Sequence, residues 1–356
     1  MTGQEPGFHA PRDGPEPSAP AADPDSTIEA TAPTVPYERA PAPAAPKEWP
    51  AGRIALSVAA IGLCGSALGA IWFGIAERHG VNPGGVTGAA LVLVAAALLG
   101  VGLLLVVGGL GYYVLAPGFM GPEMAWRGVG SHRLVIATTI LIVLLANAGP
   151  VAYTAMAGMR GLCSVPGFLT AALSVDLALL GITYFRFIRP GVLTAGDLGL
   201  TDRSRLARHV GIGLLVGVGV LVISAAIQAT MRAIGVQQTQ LASLECVREF
   251  PFAGFLGVLL AGGVLAPIAE ELYFRGYVFR SYRLTRSPIV AYGATSLLFA
   301  TLHLNLPALL PILVLSLIFC YAYQRTGSIV PSMVGHALNN STAFCILYFT
   351  SAPLGG

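Results

Sequence analysis

Long apolar segments are the feature that most restricts how this chain can fold. A helix needs roughly 20 consecutive apolar residues to cross the hydrocarbon core of a bilayer. Hydrophobic residues make up 55% of the chain and charged residues only 10%, whereas soluble domains carry about a quarter charged residues. The sequence therefore predicts an all-α, polytopic transmembrane bundle of about nine spans with the lipid bilayer as its solvent. The candidate spans are Ile54–Ala76, Val86–Leu115, Leu134–Met156, Gly167–Ile188, Val210–Met231, Phe252–Val278, Ile289–Leu304, Ala308–Tyr323 and Ile329–Phe349.

The first 50 residues have a different composition from the rest of the chain. They hold eight of the 17 acidic residues and twelve of the 25 prolines. Such a segment cannot bury enough apolar surface to offset its ordering entropy, so a disordered tail is predicted over 1–50. It contains no apolar stretch like that of a cleaved signal peptide, and the apolar segment that begins at Ile54 is expected to serve as the signal anchor.

Arginines in the connecting loops predict the orientation of the chain. Cytoplasmic loops carry an excess of basic residues, and here ten arginines follow even-numbered spans whereas four follow odd-numbered spans. This pattern predicts a cytoplasmic N-terminus, in what we expect to be a bacterial plasma membrane. The net charge of +3 is too small to indicate a nucleic-acid partner.

Ionisable residues inside apolar spans indicate where the chemistry lies, because a charge in hydrocarbon is costly and is rarely kept without a function. Six stand out, and five of them fall in the last ninety residues: Asp176, Glu270, Glu271, Arg275, His303 and His336. Asp176 occurs without a neighbouring motif, and the sequence assigns it no role.

The first cluster contains adjacent carboxylates that point about 100° apart on a helix. Glu271 and Arg275 are four residues apart, which favours a structural ion pair and leaves Glu270 on another face. Pro267 removes one helical hydrogen bond and frees the carbonyl of Gly263.

Two further clusters follow in the chain. Glu270 lies sixteen residues before Arg286, and His303 lies sixteen residues after Ser287, so an antiparallel hairpin would bring both to the same depth. His336 and Asn340 share one face of the last predicted helix. A neutral histidine and an amide can donate hydrogen bonds to a developing oxyanion, and they could equally contribute to a metal site.

These three clusters resemble, in order and spacing, the motifs of the CPBP (Abi) family. That family comprises the type 2 CAAX prenyl endopeptidases and bacteriocin-processing or immunity proteins. The matching motifs are Glu270-Glu271-x-x-x-Arg275, Phe299-x-x-x-His303 and His336-x-x-x-Asn340. The resemblance covers about residues 197–348. It divides the chain into the tail 1–50, accessory transmembrane helices over 51–196 and a catalytic transmembrane domain over 197–350.

The resemblance implies an intramembrane endopeptidase with a polar, conical cavity. In that scheme Glu270 and His303 activate a water, His336 and Asn340 polarise the carbonyl, and the substrate is a peptide or a membrane protein. The family is often called a metalloprotease, and Glu270, His303 and His336 could hold a divalent metal such as zinc. They form an incomplete zinc set and no H-E-x-x-H is present, so general-base catalysis is favoured and a metal stays open.

Two alternatives have the same spans but different functions. One is a non-catalytic membrane scaffold with the CPBP fold, against which the intact Glu270, His303 and His336 argue. The other is a proton-coupled transporter with Glu and His relays, against which the absence of internal repeats argues.

The cysteines provide one further prediction. Cys163 and Cys246 both follow odd-numbered spans, so the predicted topology places them in one external compartment, where oxidation is favoured. A disulfide between them is therefore predicted.

Overall fold

The computed structural model describes residues 49–78, 85–236 and 242–350, and every regular element within these ranges is helical. The tail predicted over 1–50 lies outside them, apart from its last two residues. We number the helices α1 Pro50–Arg78, α2 Val86–Phe119, α3 Pro122–Ala125, α4 His132–Ala157, α5 Val165–Thr183, α6 Leu206–Ala233, α7 Phe252–Thr285, α8 Pro288–Thr301, α9 Leu309–Thr326 and α10 Val330–Phe349.

A helix occupies each of the nine predicted spans, but only part of that prediction is established. Seven of the described helices are long and apolar enough to cross a membrane. Helix α8 has 14 residues and is too short, and it ends at Thr301 rather than at Leu304 as predicted. Helix α10 has 20 residues, and His336, Asn339 and Asn340 reduce its hydropathy. The protein is an integral membrane protein with an all-α fold.

Glycines determine how α1 and α2 pack. These two helices form an extensive antiparallel contact. A Cβ on Gly62 would lie 2.5 Å from the carbonyl oxygen of Gly102, and a Cβ on Gly109 would lie 2.5 Å from that of Ala55. Only glycine allows the two backbones to come this close.

Helix α7 contacts four other helices, α5, α8, α9 and α10. Two stretches of it are π-helical, Leu259–Leu265 and Leu272–Phe279. Pro267 follows the first stretch and cannot donate to the carbonyl of Gly263. Instead Ser341 of α10 donates its hydroxyl to that carbonyl at 3.2 Å, so a side chain of the neighbouring helix satisfies the backbone group that proline leaves free.

The segment between α5 and α6 is fixed to the bundle by a buried ion pair. Arg280 of α7 donates to Asp197 at 2.6 Å, and both side chains are almost fully buried. The hydroxyl of Tyr323 donates to the carbonyl of Asp197 at 2.7 Å. The sixth predicted span ended at Val278, which made Arg280 one of the ten arginines assigned to loops after even-numbered spans. Helix α7 instead continues to Thr285, so Arg280 lies within the helix.

A disulfide joins two segments at the other end of the bundle. Cys163 and Cys246 are bonded, with their Cα atoms 5.7 Å apart. Cys163 ends the short helix between α4 and α5, and Cys246 lies in the 3₁₀ segment Ala242–Glu249 that precedes α7. The bond therefore connects the start of α5 with the start of α7.

Candidate active site

The hairpin of α7 and α8 positions the first two motifs. Helix α7 ends at Thr285 and α8 begins at Pro288, so the turn lies where the sequence predicted it. The rings of Phe274 and Phe299 meet edge to face across the hairpin, with centroids 4.9 Å apart. Glu270 lies four residues before Phe274 on α7, and His303 lies four residues after Phe299, just beyond the end of α8. Each is therefore about one helical turn farther from the connection between the two helices.

His303 lies just outside the helix to which the sequence assigned it. Helix α8 ends at Thr301, and Leu304 has a positive φ of 49°. The Nδ1 atom of His303 lies 2.9 Å from the carbonyl oxygen of Phe299. Because a carbonyl only accepts, this hydrogen bond places the hydrogen on Nδ1 and leaves Nε2 as an acceptor. The half-buried imidazole thus donates from Nδ1 to a carbonyl at the end of α8, and its Nε2 remains available as an acceptor.

Glu271 connects the first motif with the third. Its Oε1 atom accepts from Arg275 at 2.6 Å and lies 2.9 Å from Nδ1 of His336. Glu271 and Arg275 have no exposed surface, and His336 is 3% exposed. The predicted ion pair is thus a chain of three groups, in which one carboxylate oxygen neutralises the arginine and orients the histidine of α10.

A serine and two aromatic rings surround these three groups. Arg275 also donates to the hydroxyl of Ser316 at 2.9 Å. Its guanidinium lies 4.7 Å from the centroid of Phe299 and 5.3 Å from that of Phe319. Phe319 stacks on His336 at 5.2 Å. Sequence reasoning missed Ser316 and Phe319, because neither the apolar helix that carries them nor their spacing gave a signal that singled them out.

Glu270 lies on the other side of His336. Its Oε2 atom is 3.7 Å from Nε2 of His336, which is beyond hydrogen-bond distance, and its side chain is 18% exposed. His336 thus has one carboxylate at each ring nitrogen. Glu270 lies at the edge of the site, whereas Glu271 lies fully inside it.

Asn340 faces the π-helical part of α7. Its amide nitrogen lies 3.3 Å from the carbonyl oxygen of Gly262 and donates to it. One of the two amide hydrogens remains for another acceptor. The amide nitrogen of the preceding residue, Asn339, donates to the amide oxygen of Asn340 at 3.2 Å, and this contact orients the Asn340 side chain.

The geometry does not assemble the proposed metal ligands. Among the described residues, no group of three His, Cys, Asp or Glu side chains converges as a metal site would require. The hydrogen bonds at Nδ1 of His303 and of His336 leave Nε2 of each ring available, as in histidines that ligate metals, so only the separation of the three side chains argues against the site. The set of Glu270, His303 and His336 does not fit a zinc site in this arrangement, and we assign no step to a metal.

Asp176 lies on α5, away from the three motifs in sequence but next to α7 in space. Helix α5 packs against the Ala266–Glu271 segment that carries Glu270. The sequence could not predict this neighbour, because the packing of two helices from different halves of the chain leaves no spacing pattern.

The fold and these side chains define a class, a helical membrane protein with ionisable residues gathered in the interior of its C-terminal half. Residues 252–342 match the family model described as type II CAAX prenyl endopeptidase Rce1-like. The matched range contains all three motifs, and the match confirms the resemblance to the CPBP family that they indicated.

One curated relative is similar over part of its length. The UPF0177 protein YxdF of Lactococcus lactis subsp. lactis is 35% identical over 79 residues, which is 22% of this chain and 43% of that protein. The chain therefore spans less than half the length of this relative. No solved structure gives a significant match.

Proposed function

We propose that this protein is an intramembrane endopeptidase that hydrolyses a peptide bond with water activated by Glu270 and His303. The observation that carries the proposal is that Phe299 contacts the rings of both His303 and His336 while Glu270 lies 3.7 Å from His336, all within the range that matches a prenyl endopeptidase family. A charged group at such depth is a functional residue by default.

Glu270 is the proposed general base. Arg275 is held by Glu271, so the basic side chain that faces Glu270 is His336, at 3.7 Å, and Glu270 is the more exposed of the two carboxylates. With its hydrogen on Nδ1, His303 presents the Nε2 lone pair, which can accept one hydrogen of a water whose other hydrogen points to Glu270. Glu270 takes the proton as the water oxygen attacks the carbonyl carbon.

His336 and Asn340 are the proposed oxyanion donors, on a condition that the structure adds. An ionised Glu271 can only accept, so Nδ1 of His336 carries a hydrogen. His336 can then donate from Nε2 only as an imidazolium. The remaining amide hydrogen of Asn340 is the second donor. When the tetrahedral intermediate collapses, the C–N bond breaks and Glu270 returns its proton to the leaving amine.

The substrate class follows from the location of the site. A carboxylate and two imidazoles inside a helical bundle are reached by a peptide segment that lies in or enters the bilayer, so the substrate is a membrane-associated peptide or a membrane protein. The division into accessory helices over 51–196 and a catalytic part over 197–350 belongs to the same proposal. So does the location in a bacterial plasma membrane with a cytoplasmic N-terminus.

A comparison of peptide termini across the proteome tests this function. Cells that produce the wild-type protein are compared with cells that produce Glu270→Ala, with Glu123→Ala as the control because Glu123 is exposed on α3. We expect a set of new termini in the wild type and the control that is absent in Glu270→Ala. Identical termini in all three would contradict the proposal.

A further inference from the structure

Asp176 is a fully buried carboxyl group that the proposed mechanism does not use. It lies in the middle of α5 with no exposed surface. Neither of its side-chain oxygens has a hydrogen-bond partner among the described residues. An ionised carboxylate without partners is very costly to bury, and such a group takes up a proton instead. Asp176 is therefore a neutral carboxylic acid, which has one O–H to donate.

The neighbour of Asp176 is the proposed base. Helix α5, which carries Asp176, packs against the Ala266–Glu271 segment of α7, which carries Glu270. The Oε2 atom of Glu270 is also buried and has no hydrogen-bond partner in the described part of the chain. Two carboxyl groups with unpartnered oxygens can satisfy each other only when one of them is protonated.

Several other polar groups on the elements around α5 are already hydrogen-bonded. On α7, Tyr273 is bonded to Thr138 and Thr139 of α4, at 2.8 Å and 2.9 Å. Arg186 follows α5 and donates to the carbonyls of Ala125 and Arg127.

The remaining ionisable groups of these elements are held elsewhere. Glu271 and Arg275 pair with each other, and His132 at the start of α4 bonds to the hydroxyl of Tyr282. Tyr277 lies farther along α7, where its ring stacks on Phe187. Glu270 is thus the acceptor best placed for the proton of Asp176.

We propose that Asp176 is a carboxylic acid that positions the catalytic base, by donating a hydrogen bond to Glu270 directly after a side-chain rotation or through one water. The inference rests on the proposed function for its catalytic meaning, but the pairing of the two carboxyl groups is a property of the resting protein. The donated hydrogen bond holds Glu270 with one oxygen toward α5 and leaves the other for the attacking water. It also explains why an accessory helix outside the matched range carries an acid at this depth.

Infrared spectroscopy of the purified protein in detergent at neutral pH tests this pairing. We expect a carbonyl band of a protonated carboxylic acid that moves on labelling with carboxyl-¹³C aspartate. The band should be absent in Asp176→Asn and shifted in Glu270→Gln, which changes its hydrogen-bond acceptor. The control is Thr183→Val, which removes another buried polar group of α5 and should leave the band in place.

Each outcome decides the proposal. Absence of a labelled acid band, or a band that Glu270→Gln does not shift, would overturn it. If Asp176→Asn does not fold, the label and the Glu270→Gln shift are sufficient, because Asp197 and Asp202 are paired with arginines and the remaining aspartates, Asp13, Asp23 and Asp25, belong to the acidic tail, far in sequence from Glu270. The band is read in the absence of substrate, so its result stands whether or not peptide cleavage is found.

Discussion

The Nδ1 atom of His336 lies 2.9 Å from an oxygen of Glu271 that also accepts from Arg275 at 2.6 Å. One fully buried carboxylate thus fixes Arg275, one turn farther along α7, and His336 on α10. The arrangement determines which nitrogen of His336 faces Glu270. It also ties Glu271 into the packing of α7 and α10, whereas Glu270 is the carboxylate that the proposed mechanism uses.

Replacing Glu271 with glutamine should reduce stability strongly. Arg275 would keep its charge in a buried site without an opposite charge, and breaking a buried pair from one side costs about 3–5 kcal/mol. Thermal melting in detergent measures the effect, with Glu123→Gln as the exposed control. The double variant Glu271→Gln/Arg275→Met should recover part of the loss, because it removes the stranded charge. A single variant that melts like the wild type would show that the pair does not stabilise the fold.

Phe299 should matter more for activity than for stability. Its ring contacts Phe274, His303, His336 and the guanidinium of Arg275. Phe299→Leu keeps an apolar side chain but removes the flat surface against which both imidazoles are placed, and misplacement of this kind can lower the rate about 10²-fold.

The matched control for Phe299 is Phe252→Leu, at an exposed position on α7. Melting temperature and kcat are measured for both variants. A Phe299→Leu protein with the kcat of the wild type would show that the ring is not needed for positioning.

Sequence and structure agree best where a spacing rule applies. The turn at residues 286–287, the Glu271–Arg275 pair and the pairing of Cys163 with Cys246 were predicted from helix periodicity and from loop topology, and the structure contains all three. Helix ends were less accurate. His303 lies after α8 because Leu304 turns the chain, and single-residue backbone angles leave little trace in an apolar sequence.

Contacts between distant helices could not be predicted at all. Nothing in the apolar run of α9 indicates that Ser316 binds Arg275 or that Phe319 stacks on His336. Arg186 was not singled out among the intramembrane residues, yet it is fully buried and bonded to two carbonyls of the α2–α4 connection. These residues are recognised only by their partners, which the fold brings together from elsewhere in the chain.

The disulfide should contribute to stability without affecting the chemistry of the site. Cys163 and Cys246 are 83 residues apart in sequence, and closing a loop of that size is worth about 4–5 kcal/mol in the chain-entropy model. Cys163→Ser/Cys246→Ser should therefore melt at a lower temperature, and Cys64→Ser, which changes an exposed cysteine of α1, should not. Non-reducing peptide mapping checks the bond itself. Free alkylation of both cysteines without reductant would refute it and weaken the predicted topology.

Glu270→Gln is the most direct test of the central claim, that this carboxylate is the general base. The purified variant and the wild type are compared on a peptide that spans a cleavage site found in the comparison of termini, with kcat/KM and melting temperature measured together. Glutamine keeps the shape of the side chain and removes its basicity, so we expect kcat/KM to fall about 10²–10⁴-fold while the melting temperature stays close to that of the wild type. Cleavage within a few-fold of the wild type by a folded Glu270→Gln protein would contradict the assignment.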